Sequence, residues 1–231
     1  KSKDGMLARA KGGVDGNRIK TDAAFARTRE NGLEFARAGS AGKLLRMAFM
    51  AYLKSAADRR LVSRLMKEMM VVVKADATST RGQRNVLDGE LELLSGFNFN
   101  LGAPLSTVLK AAYTANINRA TGLLVVELPS FVPGNYIDAP EGATHARLLS
   151  AGAAIDFESG TYETVTTQSA DIELVNASVP DIVLGNQLAA NSTNPLFLVL
   201  GIEFMQTVNG ANYPLRDKSF NALAIVAVSG V

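Results

Sequence analysis

A single histidine, His145, and no cysteine bound the chemistry open to this 231-residue sequence. Zinc is held by clusters of His, Cys and carboxylate, so a conventional zinc site lacks its ligands. Disulfides and thiol nucleophiles are excluded, and a cysteine-free chain suits either redox compartment. A Ser-His-Asp triad would have to recruit His145. That residue stands just before an apolar stretch, no Gly-x-Ser-x-Gly occurs in the chain, and the histidine reads as structural. Gly39-Ser40-Ala41-Gly42-Lys43 has the outline of a phosphate loop. The first glycine of such a loop would fall on Arg37, and Lys43 is followed by Leu44 where Ser or Thr is needed. The Gly12–Gly16 run lacks the strand-before, helix-after setting of a dinucleotide fingerprint. Carboxylates two residues apart, at Glu90/Glu92, Asp156/Glu158 and Asp171/Glu173, could bind Ca²⁺, but no Asp-rich loop of the required spacing accompanies them. Asn176-Ala177-Ser178 and Asn191-Ser192-Thr193 match the short glycosylation sequon. The expectation is a protein that is not an enzyme, with no cofactor and no metal.

Charge carries more information. The net is +2, but residues 1–84 hold 8 Lys and 11 Arg against 8 acidic residues, a net of +11. Residues 85–231 hold 5 basic residues against 14 acidic ones, a net of −9. One reading is that the basic half packs on its own acidic half. The other is that it also meets a second copy or an outside polyanion. Nucleic acid is the weaker partner. Arginine and lysine in residues 1–39 are interleaved with Asp4, Asp15, Asp22, Glu30 and Glu34, and there is no Trp to stack on bases.

These residues need elements to position them. Residues 1–20 carry few large apolar side chains, and Asp4-Gly5, Gly12-Gly13 and Asp15-Gly16 are turn signals, so the piece reads as disordered or as an arm ordered by lying on something else. Asp22 reads as the N-cap of a short helix, and Asn31 with Glu34 repeats the capping signal. Two amphipathic helices follow in Ser40–Asp76, the first on Leu45, Phe49, Tyr52 and Leu53. The second runs on Leu61, Leu65 and Met69, with Val62, Met66 and Val73 beside them. The join at Ser55–Asp58 is soft enough for one long helix. The methionines read as core filling, with an adaptable binding face as the alternative.

Beyond a polar connector the period changes to two. Phe97–Leu101 alternates, and Val108–Asn118 and Leu123–Leu128 flank a turn at Arg119–Gly122. Further strands are expected at 145–157, 161–175, 181–184, 196–208 and 220–228. If they lie on strands, the paired carboxylates make acidic outer faces. The uncharged Phe220–Val231 must be buried, closing its own sheet or adding to a neighbour's edge. No apolar run reaches the roughly 18 residues of a bilayer span.

Lys11-Gly12-Gly13, Arg27-Thr28-Arg29-Glu30-Asn31, Glu34-Phe35, Ala41–Arg46, Asn194–Leu198 and Val208-Asn209-Gly210 resemble a group of uncharacterised Bacteroidota proteins of roughly this size. The group brings no function and no site residues. Its members have residues before the equivalent of Lys1, which implies a processed or trimmed start.

The fold class expected is α+β, a basic helical N-terminal region followed by an antiparallel β-sandwich of jelly-roll or Ig-like type. The divisions are a basic arm with short helices at 1–39, amphipathic helices at 40–76, a connector at 77–95 and the sandwich at 96–231. The function expected is a structural, self-assembling subunit of an extracellular or cell-surface filament, sheath or shell. Alternatives are a virion-like or nucleic-acid-associated structural protein, and a carbohydrate- or ligand-binding module using Tyr113, Tyr136 and Tyr162. The residues expected to make contacts between copies are Arg9, Lys11, Arg18, Lys20, Arg27, Arg29 and Arg37 of the arm and Arg60 and Arg64 of the helices. Opposite them stand Asp156, Glu158, Asp171 and Glu173 on acidic sheet faces. Phe220, Leu223, Ile225 and Val228 mark the buried or donated strand.

Overall fold

Asp22 opens the helical region as its sequence predicts, its side chain accepting the Ala24 N–H at 2.9 Å. In the computed structural model, which describes residues 13–230, helix α1 (Gly16–Thr21) precedes it. A 3-10 turn then leads into helix α2 (Ala26–Ala48). The expected second cap at Asn31 is overturned, because Asn31 and Glu34 lie inside α2. The expected division at residue 40 also falls inside this helix. Glu34 is buried and accepts the Gly82 N–H at 2.8 Å, so it ties α2 to the connector instead of capping. A short helix α3 (Met50–Leu53) ends the first run. The join does break: the Asp58 carboxylate accepts the N–H groups of Arg60 and Leu101 at 2.6 and 2.9 Å. Helix α4 (Leu61–Ala75) follows, burying Leu61, Leu65, Met69, Val72 and Val73 on one face. Gly42 lies where α4 crosses α2, and a Cβ there would sit 3.6 Å from Met69 Cγ. That is ordinary van der Waals contact, so an alanine would fit here and the glycine costs helix propensity.

The chain is α+β, a short helical region followed by antiparallel sheets. Helix α5 (Leu105–Val108) lies where a strand was expected to begin. The predicted hairpin is present as β1 (Thr114–Asn118) and β2 (Leu123–Leu128). After helix α6 (Pro133–Tyr136) come β3 (His145–Asp156), β4 (Thr161–Gln168), β5 (Ile172–Glu173) and β6 (Ile182–Gln187). The longest strand, β7 (Leu196–Val208), turns at Asn209-Gly210 into β8 (Ala211–Pro214), and β9 (Ala222–Ser229) ends the series. Both turn residues have positive φ, 51° and 80°, the setting in which Asn-Gly closes a two-residue hairpin. The small sheet has order β1-β2-β6. The large one runs β4-β3-β7-β8, with β5 on β3 and β9 on β7.

The layers follow from side-chain alternation. On β7, Leu196, Leu198, Leu200, Ile202 and Phe204 join a core with Leu124, Val126 and Leu128 of β2 and Leu184 of β6. Phe197 and Val199 point the other way, into a core with Ala38, Leu45, Leu65, Met69 and Val72 of the helices. The large sheet is therefore covered on one face by helices and on the other by the small sheet. The connector is packed as well: Val86, Leu91 and Leu94 belong to the helical core.

The uncharged final strand closes its own sheet. It pairs with β7 on one side, and on the other Gly96 and Phe99 donate backbone N–H groups to Ile225 and Leu223 at 2.7 and 2.8 Å. Leu223 and Ile225 are buried and Val228 partly so. Phe220 is a correction: it precedes β9 and is 47% exposed.

Candidate functional site

Most of the arginines expected to reach outward are used internally. Arg9 and Lys11 lie outside the described residues. Arg18 pairs with Asp22 at 3.0 Å and lies over the Phe25 ring. Arg29 donates to the backbone carbonyls of Ile19 and Asp22, both at 2.8 Å. Arg37 donates to those of Gly82 and Arg84 at 2.7 and 3.0 Å. Arg64 pairs with Asp58, donates to Asn98 and Phe99 carbonyls and covers the Phe97 ring. Burial opposes ionisation of Asp58, but the N–H groups of Leu101 and Arg60 and the Arg64 guanidinium hold its carboxyl below the usual range. Arg29, Arg37 and Arg64 thus stitch the helices to their own loops, because a guanidinium fork satisfies several carbonyls at once. Lys20, Arg27 and Arg60 remain exposed.

The paired carboxylates do not form the expected strand faces. Glu90 and Glu92 sit at a 3-10 turn. Asp156 ends β3 and its side chain folds back on the N–H groups of Glu158 and Ser159, both at 2.9 Å, so the pair frames a turn. Asp171 precedes β5 and is held by Arg147 and, at 2.8 Å, by the Asn212 amide. The Asn212 hydrogen bond first, then Arg147, keeps its carboxyl low against partial burial. Glu173 alone of that pair lies on β5, exposed.

Five ion pairs form among the described residues: Arg18–Asp22, Arg64–Asp58, Arg81–Glu30, Lys110–Asp138 and Arg147–Asp171. The first three lie inside the basic half and the last two inside the acidic half. None joins the halves. The basic half does pack on its own acidic half, through the apolar core and not through ion pairs among the described residues. In the basic half, Glu34 and Asp76 are buried, and Asp22, Glu30 and Asp58 are paired. Lys43, Lys54, Arg59, Lys67 and Lys74 are exposed along with Lys20, Arg27 and Arg60, against an exposed Asp15 and a half-buried Glu68.

Three of these, Lys43, Arg59 and Lys67, converge on one place with Arg46. On the outer face of the helical layer, α2 and α4 leave two adjoining depressions of about 580 and 240 Å³ that share Phe35, Val62 and Met66. Phe35 is 59% and Val62 56% exposed. Gly39 and Gly42 floor the groove, and Lys43, Arg46, Arg59 and Lys67 rim it. An exposed apolar patch with a polar rim is the anatomy of an interaction site. In the sequence Val62 and Met66 read as lying beside the core row. The usable signal is a second apolar line on α4, about a quarter of a turn from the first, facing a Gly39-x-x-Gly42 stripe on α2.

Two other places were tested as sites. His145 Nδ1 lies 3.0 and 3.2 Å from the hydroxyls of Thr144 and Thr207, and Thr207 donates to Asn212 at 2.7 Å. This chain of partners crosslinks β3, β7 and β8. A cleft of about 440 Å³ between α2, the connector and the β3–β4 turn is lined by Arg37, Gln83, Asn85, Phe157 and Glu158. Its arginine is already spent on Gly82 and Arg84. No group of three or more His, Cys, Asp or Glu side chains able to hold a metal occurs among the described residues.

The sequence reading also missed Arg119, in the β1–β2 turn. Its guanidinium donates to the carbonyls of Ser192, Asn194 and Ser229 at 2.6, 2.8 and 2.8 Å, and to that of Gly230. It pins the end of β9 to the loop before β7. Among the described residues no helix is long and apolar enough to cross a membrane. In comparisons with known proteins, no family model matches the chain, and no curated protein or solved structure matches it significantly.

Proposed function

We propose that this chain is a structural subunit, not an enzyme, that assembles with other copies of itself through its basic helical layer and its acidic sheets. The carrying observation is that no ion pair among the described residues joins the two halves. Opposite charges on separate surfaces of one chain attract between copies, and unlike patches meeting head to tail form rings or open filaments. The groove between α2 and α4 supplies the apolar area that charge alone lacks. On this reading the two stacked sheets are a sandwich module of jelly-roll or Ig-like type, and the assembly is an extracellular or cell-surface filament, sheath or shell.

The same exposed lysines also suit nucleic-acid phosphates, which is the second reading. Of the tyrosines that a carbohydrate platform would use, Tyr113 precedes β1, Tyr136 ends α6 and Tyr162 lies on β4.

Light scattering and negative-stain microscopy of the purified chain test the proposal. Particle size should grow with protein concentration at low salt and shrink as salt screens the contacts. A chain that stays monomeric across concentration, pH and salt overturns it. Nucleic acid that co-purifies and leaves along a steep salt slope transfers the conclusion to the second reading.

A further inference from the structure

The layer order places two unlike surfaces on opposite outer faces of the molecule. One is the groove of the helical layer. The other is the face of the small sheet turned away from the core. On β2, Leu124, Val126 and Leu128 point inward, so Leu123, Val125 and Glu127 point out. On β6, Leu184 is buried while Val183 is 62% exposed, and Val183 stands directly opposite Glu127 in the β2–β6 register. Asp181 precedes β6 and is exposed. This face is therefore an apolar ridge, Leu123, Val125 and Val183, with carboxylates at one end. Among the described residues it carries no lysine or arginine on β1, β2 or β6.

We infer that the groove between α2 and α4 receives the outer face of the small sheet of a second copy, Val183 entering between Phe35 and Val62 while Glu127 and Asp181 meet Lys43 and Lys67. The inference rests on the self-assembly reading and gives it an orientation. Charge complementarity selects the occupant: a basic-rimmed apolar groove favours an apolar ridge flanked by acid and repels another basic groove. The two surfaces differ, so the contact is heterologous. They lie on opposite sides of a three-layer molecule, so each contact leaves a free groove at one end and a free ridge at the other. Growth is then linear, layer on layer, unless the rotation between copies closes a ring.

The test uses two full-length variants. Lys43→Glu with Lys67→Glu reverses the groove rim and leaves the ridge intact. Glu127→Gln with Val183→Ser removes charge and apolar contact from the ridge and leaves the groove intact. All four side chains are exposed, and unchanged circular dichroism and thermal unfolding confirm that each variant folds. If the groove variant misfolds, Val62→Ser replaces it. In analytical ultracentrifugation, each variant alone should lose about tenfold or more in association constant. An equimolar mixture should form one-to-one dimers that grow no further, because one groove and one ridge survive in each pair. A variant that assembles like the wild type, or a mixture that stays monomeric while the wild type assembles, overturns this inference and leaves self-assembly standing. A monomeric wild type overturns the self-assembly reading and this one with it. Absorbance at 260 nm that accompanies the wild type and is lost with the groove variant assigns the groove to nucleic acid and overturns the inference.

Discussion

Arg119 shows what one side chain can hold when its partners are backbone carbonyls. Its fork reaches the loop before β7 and the end of β9 from a turn that is far from both in sequence. Arg119→Ala should lower stability by about 2–3 kcal/mol in denaturant unfolding, because it leaves those acceptors unpartnered. Arg119→Lys should recover little of that, since an ammonium cannot match the fork. Hydrogen exchange at Val226–Ser229 should quicken in both. Asp76 is the acidic counterpart. Burial works against its ionisation, yet the Ser79 N–H and hydroxyl and the N–H groups of Asn85 and Thr78 hold its carboxyl far below the ordinary value. A depressed folded-state pKa contributes stability that is present above the unfolded value near ~4 and lost as pH falls below it. Asp76→Ala should cost about 2 kcal/mol at neutral pH, and its stability should fall less steeply than the wild type's between about pH 4 and 2. Urea unfolding across that window measures both. Neither role was legible in the sequence. Arg119 read as part of a turn and Asp76 as the end of a helix, because their partners are supplied by tertiary placement.

At the scale of elements, periodicity read well and boundaries read badly. The hairpin β1–β2 and strands β3, β4, β6, β7 and β9 fall where alternation of Val, Ile, Leu and Thr placed them. α2 was under-read because Gly32, Gly39 and Gly42 and a capping signal at Asn31 all argue locally for interruption. Packing against α4 and the connector overrides them. A Cβ at Gly39 or Gly42 would come into ordinary contact with α4, whereas a Cβ at Gly32 would meet nothing within 4 Å. Gly32→Ala should therefore stabilise the protein by about 1 kcal/mol, read as a raised Tm with unchanged assembly. β8 was missed although Asn209-Gly210 announces it, because its four residues, Ala211–Pro214, are too short to show a period.

At the scale of the whole molecule, the charge split was plain in the sequence, and where the charges point was not. A sequence cannot distinguish a basic half ion-paired to its own acidic half from one held to it by other contacts. In the layered fold the halves meet through an apolar core and hydrogen bonds such as Arg64 to the Asn98 carbonyl, with no ion pair between them among the described residues. The candidate groove was illegible for a related reason, since its walls come from two helices that only the tertiary fold brings side by side.

That separation has a consequence for the protein as a solute. On the proposed reading, a particle with a formal charge of only +2 but oppositely charged faces has too little net repulsion to keep copies apart when counterions are scarce. Its second osmotic virial coefficient should be negative in dilute buffer and climb toward zero as sodium chloride rises over the range where the Debye length falls from ~30 to ~8 Å. The protein should salt in: least soluble in near-pure water, where a uniformly charged protein is most soluble, and recoverable from its precipitate by adding salt without refolding. Static light scattering along a salt gradient reads the coefficient directly, and a value that is positive at low salt and falls as salt is added would count against opposed faces.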